Sequence, residues 1–137
     1  MAAVAADAGS VLRARLQAAL RSFPRVRLAL LFGSFARGAA GPDSDVDIAI
    51  AAPGVDLLAV AAELSAACDR EVDLVSLADP GIPLLEELVR DAEVLHEGEP
   101  GLGASWRSTA LATLEIDGPW YARMRDAWLA RVAREGL

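Results

Sequence analysis

The sequence predicts a single α/β domain with a mixed sheet, and three observations carry that expectation. A chain of 137 residues suits one core, since folded domains typically run to roughly 100 to 150 residues. From Asp45 to Ala51 the residues alternate: Val46, Ile48 and Ile50 fall on one face, Asp45, Asp47, Ala49 and Ala51 on the other. That is the period of a β-strand. Around it, short apolar runs alternate with segments of helical periodicity. One domain is expected over 1–137, with a core at about 26–98 and a helical C-terminal segment at about 104–135.

The elements follow in order. Leu12, Leu16, Ala19 and Leu20 recur at helical spacing, with Ser10 placed as an N-cap and Pro24 beyond the end. Residues 26–32 form a short apolar run with Arg27 at one inner position, read as a buried strand, and Gly33-Ser34 turns the chain. Gly38, Gly41, Pro42, Asp43 and Ser44 favour a loop before the alternating strand. After Pro53-Gly54, the residues Leu57, Leu58, Ala61, Leu64, Ser65 and Cys68 trace one face of a second helix, and 71–76 reads as a third strand. Asp79-Pro80-Gly81 starts a helix carrying Leu84, Leu85, Leu88 and Val89, and Val94-Leu95 gives a short last strand. Two helices are expected at 105–116 and 120–134, separated by Asp117-Gly118-Pro119.

Composition narrows the function. Apolar residues make up 54% of the chain, much of it alanine, and charges interrupt every apolar stretch well short of the roughly 20 residues that span a bilayer. Residues 1–9 carry Asp7 and no basic residue ahead of an apolar run, unlike a secretory signal, so a cytoplasmic location is expected. The one cysteine, Cys68, is expected to pack in a helix. A net charge of −7 argues against long DNA or RNA as substrate. All thirteen basic residues are arginine, which removes lysine nucleophiles and the lysine of a Walker P-loop. Nucleotide chemistry here must run on carboxylates, arginine and backbone amides.

The most specific signal is Gly33-Ser34, ten residues, then Asp45-Val46-Asp47. A glycine after a strand lets backbone approach a phosphate, and a short helix opening at Ser34 aims N–H groups at the anion. Two carboxylates on one strand face suit hard cations such as magnesium. Two such ions about 4 Å apart clamp the attacking and leaving oxygens. Asp73, in a run where Val72 and Leu74 face away, supplies a third carboxylate that orients or deprotonates an acceptor hydroxyl. A lone Asp-x-Asp more often covers the solvent face of an edge strand. The coincidence of Gly-Ser, Asp-x-Asp and a later strand aspartate favours the catalytic reading.

The stretch Leu31-Phe32-Gly33-Ser34-Phe35-Ala36-Arg37-Gly38, with Pro42-Asp43-Ser44-Asp45-Val46-Asp47-Ile48, resembles the minimal nucleotidyltransferases of the DNA polymerase beta superfamily. Val72-Asp73-Leu74-Val75 resembles their third-carboxylate strand, and the likeness runs over roughly 26–98. The resemblance implies a polymerase beta-like fold, with Gly33 and Ser34 binding the triphosphate and Asp45, Asp47 and Asp73 binding metal. Phe35 departs from it, since many relatives have arginine there, so that phosphate contact is either missing or supplied by Arg37. Ser44 is a further candidate donor to phosphate. His96 has no second imidazole or thiol nearby in sequence and is expected to be structural. Trp106, Trp120, Tyr121 and Trp128 gather in the last third, with Trp120, Met124 and Trp128 on one helical face. Such a stripe is most often core, and where exposed it suits a partner.

The leading expectation is an enzyme that moves AMP from ATP, with two magnesium ions, onto a hydroxyl of a partner protein. Only about 35 residues follow the core, too few for the helical acceptor region of small-molecule relatives. By resemblance the partner is a HEPN-type toxin and the chain its antitoxin, with higher oligomers allowed. The alternatives are an aminoglycoside-type nucleotidyltransferase and a non-catalytic antitoxin that masks its partner.

Overall fold

A computed structural model describes residues 7–136 of the chain. Residues 1–6, part of the segment weighed above as a secretory leader, lie outside the described residues. The elements are α1 (Ala8–Leu20), β1 (Leu28–Phe32), α2 (Gly33–Ala36), β2 (Val46–Ala51), α3 (Leu57–Cys68), β3 (Val72–Ser76), α4 (Ile82–Asp91), β4 (Glu93–Glu97) and α5 (Leu102–Glu135).

The four strands lie in the order β3-β2-β1-β4. β1 runs antiparallel to both β2 and β4, while β2 and β3 are parallel, so the sheet is mixed as the sequence predicts. β1 is central, and all five of its residues are buried. That is why Leu28-Ala29-Leu30-Leu31-Phe32 shows no alternation: helices cover both of its faces.

On one face, Val46, Ile48 and Ile50 of β2 join Leu12, Leu16 and Leu20 of α1 and Val60, Leu64 and Cys68 of α3. On the other, Leu28, Leu30, Phe32 and Ala49 meet Leu88 of α4, with Leu84, Leu102 and Trp106 packed against them. The odd-numbered face of β2, which carries Asp47, is therefore the face that α4 crosses on its way from β3 to β4.

Three expectations are corrected. The cap of α1 is Asp7 instead of Ser10: its Oδ1 accepts the Ser10 N–H at 2.7 Å, so the helix starts a turn earlier. In α3 the buried stripe is Val60, Leu64 and Cys68, whereas Leu58 is 82% exposed. Asp56 caps that helix through the Leu58 N–H, which fixes Leu58 in the first turn, facing out.

Third, the two C-terminal helices are one, because α5 runs through Asp117-Gly118-Pro119 without a break. Proline here removes one intrahelical donor, the one that would reach the Glu115 carbonyl. Both Pro119 and Glu115 are exposed, so the carbonyl is open to solvent in place of its lost partner and the long helix tolerates the loss.

Candidate active site

The sheet register assembles the acidic cluster. Asp47 of β2 and Asp73 of β3 are direct partners in the parallel pairing, and parallel partners project to the same side of a sheet. Asp45 precedes β2 by one residue and has the same parity as Asp47. Asp45 and Asp73 are exposed, and Asp47 is half-buried.

Burial pushes the Asp47 carboxyl above the usual aspartate range, and the negative charges of Asp73, Glu87 and Asp45 push it further. Arg37 opposes the shift. All three predicted aspartates thus act on one spot, and Glu87 of α4 joins them, a residue the sequence reading did not single out. Glu87 lies on the helix between the buried Leu85 and Leu88. Nothing in its local sequence says which strand it will face, because that is set by the α4 crossover.

Gly33 sits against Asp47. Its φ is +72°, and a Cβ built there would lie 2.2 Å from Asp47 Oδ2. Only glycine gives both this left-handed conformation and this approach. The Phe32–Asp47 pairing of β1 with β2 brings the two together, so the Gly-Ser turn and the Asp-x-Asp strand meet at one point. Ser34 follows in the single turn of α2 and is part-exposed.

The loop from Ser34 to Asp45 is braced from behind. Arg13 donates to the Phe35 carbonyl at 3.2 Å while bridging to Glu93 at 2.6 Å. Arg70 donates to the carbonyls of Gly41 and Ser44 at 3.2 and 3.0 Å, and its guanidinium stacks 4.9 Å from the Phe35 ring centroid. Phe35 is buried in the core. It is an anchor for the loop, and a phenyl ring offers no donor to a phosphate.

Ser44 Oγ accepts the Gly41 N–H at 2.8 Å, an ordinary closure of the turn that leaves its own O–H proton free to donate. Ser44 and Asp45 line a small cleft of about 210 Å³ with Asp69 and Arg70. Arg37 lies at the end of α2, with its guanidinium 3.7 Å from Glu87 and 3.8 Å from Asp91. His96 is half-buried in β4, and burial raises the pKa of the Cys68 thiol in α3.

Among the described residues no group of three His, Cys, Asp or Glu side chains stands ready to hold a metal ion. The donor set still fits magnesium in kind: that ion takes oxygen ligands and is commonly bound by one or two carboxylates together with substrate phosphates. The crowding of negative charge around Asp47 is what a hard cation relieves.

The aromatic stripe is divided. Trp106 packs against the α4 face of the sheet, whereas Trp120, Met124 and Trp128 are 56%, 54% and 49% exposed. Their stripe is not core. No helix among the described residues is long and apolar enough to cross a membrane.

Residues 14–100 match the family described as Polymerase beta, Nucleotidyltransferase. The chain is 36% identical over 78 residues to the protein adenylyltransferase MntA of Shewanella oneidensis, an alignment covering 54% of this chain and 56% of that protein. The match thus spans little more than half the length of that relative. Among solved structures, a toxin–antitoxin crystal structure with AMP-PNP contains a chain matched at TM-score 0.69 and 24% identity, over 85% of this chain and 98% of that one. A chain in the complex of tri-AMPylated Shewanella oneidensis HEPN toxin with MNT antitoxin matches at TM-score 0.65 and 23% identity, over 88% and 98%. At these identities the structural matches carry the fold.

Proposed function

This chain belongs to the polymerase beta nucleotidyltransferase family, and from that premise we propose that it transfers AMP from ATP to a hydroxyl of a partner protein. The observation that carries the proposal is the pairing of Asp47 with Asp73 on one sheet face, directly beside Gly33.

Asp45, Asp47 and Asp73 would hold the metal. When bound, magnesium supplies charge neutralisation for the triphosphate and Lewis-acid polarisation of the α-phosphate. Gly33 admits the phosphates close to the backbone, Ser34 and Ser44 donate hydroxyl protons to them, and Arg37 pairs with a phosphate oxygen. Asp73 orients the acceptor hydroxyl and accepts its proton as the hydroxyl oxygen bonds to the α-phosphorus. The α–β bridging bond breaks, and pyrophosphate leaves.

The acceptor is a protein. Among the described residues Asp45 and Asp73 are exposed, which leaves the cluster open to a hydroxyl carried on another protein. The exposed stripe Ile116, Trp120, Met124 and Trp128 of α5 is of the kind that docks a partner. The relatives whose structures include a HEPN toxin motivate a toxin of that kind as the partner, this chain acting as its cytoplasmic antitoxin. The same stripe supports a second reading, in which binding alone neutralises the partner.

Mixing this protein, ATP and magnesium with the protein encoded beside it, then weighing that protein intact, tests both. A gain of one or more AMP groups that disappears with Asp45→Ala supports transfer. Neutralisation by Asp45→Ala without any mass gain supports masking.

A further inference from the structure

Arg37 stands at the end of the phosphate loop, yet its guanidinium is turned toward α4. It lies 3.7 Å from Glu87 Oε1 and 3.8 Å from Asp91 Oδ2. Asp91 is itself only 15% exposed and is also paired with Arg90 at 3.0 Å, so it is a fixed post. Glu87, at 35%, is the more exposed of the two. Both distances exceed that of a direct hydrogen bond. The guanidinium therefore sits between two carboxylates and is bonded closely to neither.

The same groups reach the aspartates. Glu87 and Arg37 act with opposite sign on Asp47, which places the clasped pair at the edge of the cluster and within electrostatic range of it. An arriving triphosphate and Glu87 then compete for one guanidinium, and Glu87 in addition repels the phosphates.

We propose that Glu87 and Asp91 form a clasp that withholds Arg37 from the nucleotide, making Glu87 a positioning residue that sets affinity for a nucleoside triphosphate. The proposal rests on the nucleotidyl-transfer reading above and adds residues of α4 to that site. Arg37 has two competing places to be, on α4 or on the triphosphate. Neutralising Glu87 removes the competitor and leaves Asp91 to keep the arginine near.

The test is a double-mutant cycle read by calorimetry with a non-hydrolysable ATP analogue and magnesium. Glu87→Gln is expected to bind the analogue tighter than wild type by roughly 1.4- to fivefold, the range for a part-exposed ion pair. In an Arg37→Gln background the same substitution is expected to give a clearly smaller gain. An equal gain in both backgrounds would reduce Glu87 to simple repulsion and overturn the clasp, as would an unchanged or weakened affinity of Glu87→Gln alone.

The arginine can also be followed directly. The Nε–H resonance of Arg37 in nucleotide-free protein is expected to move on Glu87→Gln; an unmoved resonance would overturn the clasp whatever the binding data. Wild type that gives no binding heat while its Arg37 resonance responds to Glu87→Gln would instead overturn the nucleotide reading. Glu87 is part-exposed, and a thermal melt beside each titration verifies the fold.

Discussion

Val60, Leu64 and Cys68 of α3 and Trp120, Met124 and Trp128 of α5 have the same spacing, four residues apart on a helix, and opposite fates. The first three are buried against the sheet, whereas the second three are about half exposed and no residue from 111 to 136 is buried. Helical periodicity of apolar residues says that a face needs a partner. Whether the partner lies in the same chain depends on whether the helix is brought back over the sheet. α3 is, because it links two adjacent parallel strands. α5 leaves the sheet after Ala110, and among the described residues no strand follows it.

The sharpest way to separate the two regions is through activity. Asp47→Asn is expected to cut the rate of AMP incorporation by roughly a hundredfold to a thousandfold, as loss of a group that stabilises transition-state charge does. Assayed with its protein acceptor at saturating concentration, Trp128→Ala should keep the wild-type rate and raise only the acceptor concentration needed. A drop in the maximal rate with Trp128→Ala would show that α5 belongs to the catalytic region, and the division drawn here would fail.

Stability is the next contrast. Leu64→Ala removes a fully buried side chain and should cost about 2–5 kcal/mol in denaturant unfolding. Trp128→Ala, from a half-exposed site, should change stability by less than about 0.5 kcal/mol. Equal losses would mean that α5 is covered by its own chain in solution.

Gly33→Ala is intermediate. Forcing a side chain into the left-handed region costs about 1–2 kcal/mol, and its Cβ would collide with Asp47 Oδ2. The expected outcome is a protein that still folds, melts lower, and transfers AMP poorly because Asp47 is displaced.

The smallest effect is a pH dependence. Asp47 carries a raised pKa in the fold, caused first by burial and then by Asp73, Glu87 and Asp45. Between the ordinary aspartate value and that raised value the folded state holds more protons than the unfolded one, so stability falls as pH rises through the window. Asp47→Asn removes this penalty. Its melting temperature should exceed that of wild type above the window and match it at lower pH, in magnesium-free buffer. A mutant that melts lower at neutral pH would contradict the crowding of charge at Asp47.

Much of the site was legible because its logic is local. The alternation of Val46, Ile48 and Ile50 with Asp45 and Asp47 fixes which face each carboxylate takes, and Val72-Asp73-Leu74 repeats the pattern one strand away. Those two facts give the Asp47–Asp73 pairing once β2 and β3 lie side by side. The roles of Glu87 and Asp91 are not local: they follow from the path of α4 across the sheet, which no short-range pattern encodes. The continuity of α5 was misread because Pro119 is a strong local breaker, yet on an exposed helix the unpaired carbonyl is open to solvent. Phe35, noted only as a departure from its relatives, proves to be the buried anchor beneath Arg70.

The central claim, that the Asp45, Asp47 and Asp73 cluster directs an acceptor hydroxyl at the α-phosphorus, is tested most directly by following which phosphorus moves. The partner protein is incubated with this chain, magnesium and ATP labelled at either the α- or the γ-phosphorus. The account predicts that the partner takes up the α-label alone, with release of pyrophosphate, and that Asp47→Asn slows the uptake by the factor given above. Uptake of the γ-label, or α-label uptake undiminished in Asp47→Asn, would contradict it.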